Sequence, residues 1–142
     1  MNDLISFESE GVSFQPDNIE KLALWIERVV AMHHRYPGNI TFIFCSDDYL
    51  WEMNKQHLNH DSLTDVITFN YNIGAQISGD IFISIDRIKD NALMYKKQTE
   101  EELRLVMAHG VLHLLDFNDK TIEESKTMRA AELKALAIWD SL

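Results

Sequence analysis

The segment Ile40-Thr-Phe-Ile-Phe-Cys45 carries β-branched and aromatic side chains at both odd and even positions. Successive side chains of a strand point to opposite faces, so a run that is apolar at both parities must be covered from both sides. It therefore reads as a buried central strand, and the covering layers must come from helices elsewhere in the chain. Ile19, Leu22, Ile26, Val29 and His33 recur at steps of three and four, which predicts an amphipathic helix ahead of that strand. Pro37-Gly38 is expected to end this helix. Leu4 to Phe7 is a candidate short strand, and Ser46 or Asp47 can cap a short helix carrying Tyr49, Leu50 and Met53.

Val66-Ile-Thr-Phe69 is the next strand candidate, and Asp80 to Ile85 alternates with Ile81, Ile83 and Ile85 on one face. The polar stretch from Tyr71 to Ser78 between them is too short for a helical crossover, so the sheet must be mixed. Two final helices carry start signals, since Thr99-Glu-Glu-Glu102 and Thr121-Ile-Glu-Glu124 both fit the capping box. The expected fold is α/β (α+β): one domain over residues 1–142, with a mixed four-stranded sheet and four to five helices.

Composition narrows the functional classes. Cys45 is the single cysteine, which excludes an intramolecular disulfide framework and fits a reducing compartment. No apolar run approaches the roughly 20 residues of a membrane span. The first residues lack the basic stretch and apolar core of a signal peptide, so a soluble cytoplasmic protein is expected. Thirteen Lys and Arg against 23 Asp and Glu give a net charge of -10, which argues against a general nucleic-acid coat. A local cleft with a bound ion remains compatible with that charge.

The stretch Met107-Ala-His-Gly-Val-Leu-His-Leu-Leu-Asp-Phe-Asn-Asp119 carries the chemistry. His109 and His113 are four apart on a predicted helix, which stacks their rings on one face at the spacing needed to share a metal ion. That helix is apolar nearly all round, through Leu103, Leu105, Val106, Met107, Val111, Leu112 and Leu114, so it is mostly buried and its imidazoles need partners. Asp119 lies past a plausible turn at Asp116-Phe-Asn118, where Asp116 can take the left-handed position usually given to glycine. Two imidazoles, one carboxylate and an open position suit a catalytic zinc site. The alternative is a pair of core or cleft histidines bonded to backbone, with Asp119 merely preceding a helix. A His-Glu-x-x-His peptidase is disfavoured, because Gly110 stands where the general-base glutamate would be. A mid-helix glycine costs about 1 kcal/mol relative to alanine, and points to close approach by another element.

The stretch His109-Gly-Val-Leu-His-Leu-Leu-Asp-Phe-Asn-Asp119 resembles the signature of the YbeY family, His-Gly-x-Leu-His-Leu-x-Gly-Tyr-Asp-His. Leu63-Thr-Asp-Val-Ile-Thr-Phe69 is similar to that family's Pro-Thr-Asp-Val-Leu-Ser-Phe, and Gly79-Asp-Ile-Phe-Ile-Ser84 to its Gly-Asp-Ile strand. The blocks fall in the family's order and span most of the chain. The resemblance implies a zinc-dependent, single-strand-specific endoribonuclease of ribosomal RNA maturation, processing the 3′ end of the small-subunit RNA, and of ribosome assembly. Its implied partners are ribosomal RNA or small-subunit components, with no membrane and no DNA, as a monomer or weak oligomer. One ion, most simply zinc, would be held by His109, His113 and Asp119, beside a substrate cleft containing Thr64 and Asp65. Two departures stand out. Asp119 occupies the family's third-histidine position, which lowers the charge of the site by one. Leu58 occupies the position of an arginine implicated in cleavage, and His57 and His60 are the candidates to supply a cation or proton donor instead.

The remaining polar and aromatic residues have plainer readings. Asp61 is expected to form a turn before the third strand, and Thr64 and Asp65 serve either the cleft or strand capping. His33 and His34 are expected to interact, partly protonated, with the dipole of the first helix. Cys45 reads as a small hydrophobe, and Trp25, Trp51 and Trp139 as core or groove-lining residues. Lys96-Lys97 is a solvated pair, and Glu100 to Glu102 complements its helix terminus without needing partners. Two other classes stay open: a metal-dependent hydrolase or peptidase of another substrate, and a noncatalytic ribosome-assembly factor with structural zinc.

Overall fold

The computed structural model describes residues 4–58 and 65–142, apart from the side chains of His57 and Leu58. The elements run β1 (Ile5–Ser9), α1 (Ile19–Met32), β2 (Tyr36–Cys45), α2 (Asp47–Leu58), β3 (Val66–Asn70), β4 (Gln76–Ser84), α3 (Ile85–Met94), α4 (Thr99–Leu114) and α5 (Ile122–Ser141). The sheet order is β1-β2-β4-β3. β1, β2 and β4 run parallel, and β3 is antiparallel to β4. The sheet is therefore mixed and β2 is internal, as its apolar faces require. No helix among the described residues is long and apolar enough to cross a membrane.

Alternation along the strands divides the core. Ile40, Phe42 and Phe44 of β2 and Ile77, Ile81 and Ile83 of β4 face a large cluster that includes Trp25, Ile26 and Val29 of α1, Ile88 of α3, Met107 and Val111 of α4, and Ala135 of α5. On the opposite face, Cys45 and Ile67 pack with Leu50 of α2, supported by Met53, Phe69 and Phe82. Trp25 is fully buried, and its indole Nε1 donates to the Ala135 carbonyl at 2.7 Å, so the one polar atom of the ring is satisfied across the α1–α5 seam. Trp139 meets Trp25 edge to face at 5.7 Å, whereas Trp51 stays partly exposed. Burial pushes the Cys45 thiol up to about 12, with Asp47 and Asp86 adding to the shift, as suits a small hydrophobe.

Several sequence expectations shift in the fold. α1 ends at Met32, before Pro37-Gly38, because His34 takes the left-handed turn at φ 61. Pro37 then falls inside β2, paired with Ile77 beside a register irregularity where the missing N–H is tolerated. β1 runs on to Ser9, and β4 ends at Ser84. Ile85 opens α3 instead of continuing the strand, because Ser84 caps that helix by accepting from Arg87 N at 3.2 Å.

The box expected at Thr99–Glu102 sits one residue earlier, on Gln98 and Glu101. The reason is that Glu102 is buried and spoken for: Lys97 Nζ lies 2.7 Å and Asn91 Nδ2 3.3 Å from its carboxylate. Lys97 and Glu102 are thus partners, where solvation and helix-dipole complementarity had been expected. His33 is also different from expectation. Burial first, then Lys134 and His34, lower its pKa, so the imidazole is held toward the neutral form, edge-on to Phe117 at 5.2 Å.

Gly110 of α4 lies against β4, and a Cβ there would stand 2.7 Å from Ile81 Cγ2. This is the close approach that a mid-helix glycine implied. Replacement Gly110→Ala gains helix propensity but forces Ile81 out of place, so we expect a net destabilisation of about 1–2 kcal/mol, read from the urea midpoint.

Candidate metal centre

Two local devices at the end of α4 place the polar groups. Asp116 adopts φ 73, the left-handed turn its position called for. Phe117 N donates to Leu112 O at 3.0 Å and Asp116 N to His113 O at 3.1 Å, the paired bonds of a Schellman motif. Asn72, from the β3–β4 turn, covers another carbonyl of the terminus by donating Nδ2 to Leu114 O at 2.7 Å. Six residues further on, Thr121 caps α5. Its hydroxyl accepts from Glu124 N at 3.0 Å, and Glu124 Oε1 accepts from Thr121 N at 3.0 Å, so this capping box forms where expected. Ser125 Oγ donates to Asp119 O at 3.1 Å. The turn carrying Asp119 is therefore pinned at both ends.

The Schellman turn aims the Phe117 carbonyl at His113 Nδ1, at 3.0 Å. Glu132 of α5 places Oε2 2.6 Å from His109 Nδ1. With both Nδ1 atoms engaged, the Nε2 atoms face one another at 3.0 Å, and Asp119 Oδ2 lies 3.2 Å from His109 Nε2 and 3.7 Å from His113 Nε2. Among the described residues these three form the one group of histidine, cysteine and carboxylate donors compact enough to hold an ion, all within 4.8 Å. A tetrahedral zinc ion with bonds of about 2.0–2.1 Å holds its donors roughly 3.3–3.4 Å apart, so the observed triangle fits. The side chains are 23%, 27% and 39% exposed for His109, His113 and Asp119, which leaves the cluster open to solvent on one side.

The electrostatics of the two imidazoles diverge. Burial works against protonation of His109, but the Glu132 hydrogen bond and the charges of Glu132, Asp119 and Asp65 outweigh it and raise its pKa. Burial and the neighbouring His109 lower that of His113 against a smaller pull from Asp119. The two imidazoles are thus pushed in opposite directions, His109 toward the protonated form and His113 toward the neutral one. Asp65, immediately before β3, has its carboxyl raised mainly by burial, with Glu102 and Glu132 adding to it and His109 opposing. The charge of Asp65 thus acts on His109. Thr64, His60 and Asp61, and the side chains of His57 and Leu58, lie outside the described residues.

The residue that sequence reading missed is Glu132. A carboxylate four residues after Met128 and flanked by Ala131 and Ala135 falls on the buried stripe of α5, and that misplacement is the signal that could have found it. The Phe117 carbonyl had no such signal, since backbone groups carry none.

Two measurements test this geometry. The folded-state pKa of His109 is raised, so in metal-free protein its contribution to stability is complete below the unfolded value of about 6.5 and is lost as pH rises through the folded value. Ion binding must displace that proton, so affinity for zinc should rise across the same window, with proton release visible by calorimetry in buffers of different ionisation enthalpy. Asp116→Gly should stabilise the fold by about 0.5–1 kcal/mol by removing the cost of a left-handed non-glycine residue, against the loss of an exposed 3.7 Å pair with Arg35.

A sequence profile of the family described as Endoribonuclease YbeY matches residues 4–140. A protein of that name from Flavobacterium johnsoniae is 40% identical over 136 residues, covering 96% of this chain and 97% of the relative. One from Phocaeicola vulgatus is 44% identical over 135 residues, covering 95% and 98%. The solution structure of TM1509 from Thermotoga maritima is 25% identical with a TM-score of 0.59, covering 96% of this chain and 92% of that one. Profile and relatives extend over nearly the whole length, across the histidine pair, the turn and the strands that support them, and the chain belongs to the endoribonuclease YbeY family.

Proposed function

We propose that this chain is a zinc-dependent endoribonuclease that cleaves single-stranded RNA in the maturation of small-subunit ribosomal RNA, working in the cytoplasm. The observation that carries this reading is the convergence of His109 Nε2, His113 Nε2 and Asp119 Oδ2 on one solvent-open point, with both Nδ1 atoms held from behind. A divalent ion at that point supplies Lewis acidity, activating water or polarising a phosphate oxygen. The protein's own groups orient the donors and shape the approach.

The peptidase alternative loses further ground in the fold. Gly110 is buried against Ile81, so the position that would hold a general-base glutamate faces the sheet. The net charge of -10 also constrains how RNA is held, because few cations are available to neutralise phosphates. The logarithmic salt dependence of RNA affinity should therefore have a slope no steeper than about -2, equivalent to two or three contacts on a single strand.

The direct test uses purified chain and a fluorescently labelled single-stranded RNA. Cleavage should disappear with a chelator, return with added zinc, and fall about 100-fold or more in His113→Ala and Asp119→Ala. Cleavage that persists in stripped protein and in both variants would sink the proposal. A fully folded chain that loses its fold on metal removal and never cleaves RNA would identify the noncatalytic assembly factor instead.

A further inference from the structure

The side chain of Glu132 is only 10% exposed, on a stripe of α5 otherwise made of Met128, Ala131 and Ala135. An aliphatic side chain would fit such a position with no desolvation cost, whereas a buried carboxylate is strongly disfavoured unless its oxygens are engaged. Both oxygens are engaged. Oε2 lies 2.6 Å from His109 Nδ1, and Oε1 lies 3.3 Å from Arg129 Nη1. Arg129 is 57% exposed, so its pair with Glu132 is screened and weak. The imidazole is the principal partner, which makes the short His109 contact the reason a carboxylate is kept there.

The two imidazoles are supported differently. His113 Nδ1 meets a backbone carbonyl that no substitution removes, while His109 Nδ1 meets a carboxylate delivered from another helix. We infer that Glu132 is a positioning residue for the ion site: it holds the proton of His109 on Nδ1, aims the Nε2 lone pair at the point shared with His113 and Asp119, and raises the donor strength of that nitrogen. A charged acceptor does this better than a neutral one, because the imidazole gains partial anionic character when its N–H is bonded to a carboxylate. The arrangement also couples the site to the core. His109 and His113 come from α4, Asp119 from the turn and Glu132 from α5, so filling the site tightens the α4–α5 seam.

The inference rests on the ion-binding reading above, and the experiment separates the two. Wild type, Glu132→Gln and Arg129→Met are stripped of metal, checked by circular dichroism, and titrated with zinc in competition with a chromophoric chelator. Gln keeps an acceptor for His109 but removes the charge. Zinc affinity should fall about 10- to 100-fold in Glu132→Gln and less than about threefold in Arg129→Met, with the metal-free fold unchanged. The zinc-induced rise in melting temperature should shrink in the same order. Nitrogen NMR of zinc-loaded wild type should show a protected proton on His109 Nδ1, faster exchanging in Glu132→Gln. Affinity within twofold of wild type would overturn the assignment, and so would a Glu132→Gln chain that cannot fold without metal, since Glu132 would then be a core element. Wild type that takes up no zinc would overturn the ion-binding reading itself.

Discussion

α4 can reach the sheet as closely as it does because Gly110 has no side chain where Ile81 projects, and the placement of the two imidazoles follows from that contact. Gly110 is the residue between the two histidines' turns, so seating it on β4 fixes the rotation of the helix. His109 and His113 then emerge together at the margin of the core instead of inside it. A bulkier residue would lift or turn the helix and move both rings at once. Close packing is what converts a helical spacing of four residues into a fixed pair of donor atoms.

The third donor depends on a different kind of constraint. Asp119 is on an exposed turn, and such turns are ordinarily mobile and tolerant of change. Here the Schellman bonds at Leu112–Phe117, the carbonyl of Phe117 on His113, the hydroxyl of Ser125 and the Thr121 box hold it from both sides. The same few backbone bonds that end one helix and begin the next thus position a carboxylate. Arg35 and His33 brace the turn from the α1–β2 connection, through Asp116 and Phe117.

Much of this was legible in the residues. Ile40–Cys45 is apolar at both parities and had to be internal; the β3–β4 connection had no room for a helix and had to be antiparallel. The histidine spacing and the left-handed Asp116 are local properties, and local geometry is what sequence patterns encode. Where expectation failed, a distant partner had intervened. Thr99 is by residue type the better cap, yet the helix starts from Gln98, because Lys97 and Asn91 engage the Glu102 carboxylate. Pro37 reads as a helix stop until Ile77 pairs beside it, and His33 reads as a protonated terminus until burial and Lys134 favour the neutral ring.

By itself the sequence determined the strand and helix periods, the paired imidazoles on one helix face, the carboxylate after a turn and the family to which these short blocks point, because each is set within a dozen neighbouring residues. The tertiary structure alone decided that Asp119 closes on both Nε2 atoms, that the charge of Asp65 acts on His109, and that Glu132, nineteen positions beyond His113 in the chain, lies behind the first imidazole. Those relations depend on how α4 and α5 cross and on which faces they bury. The free energy that sets that crossing is spread over the whole core, so no short stretch of residues contains it.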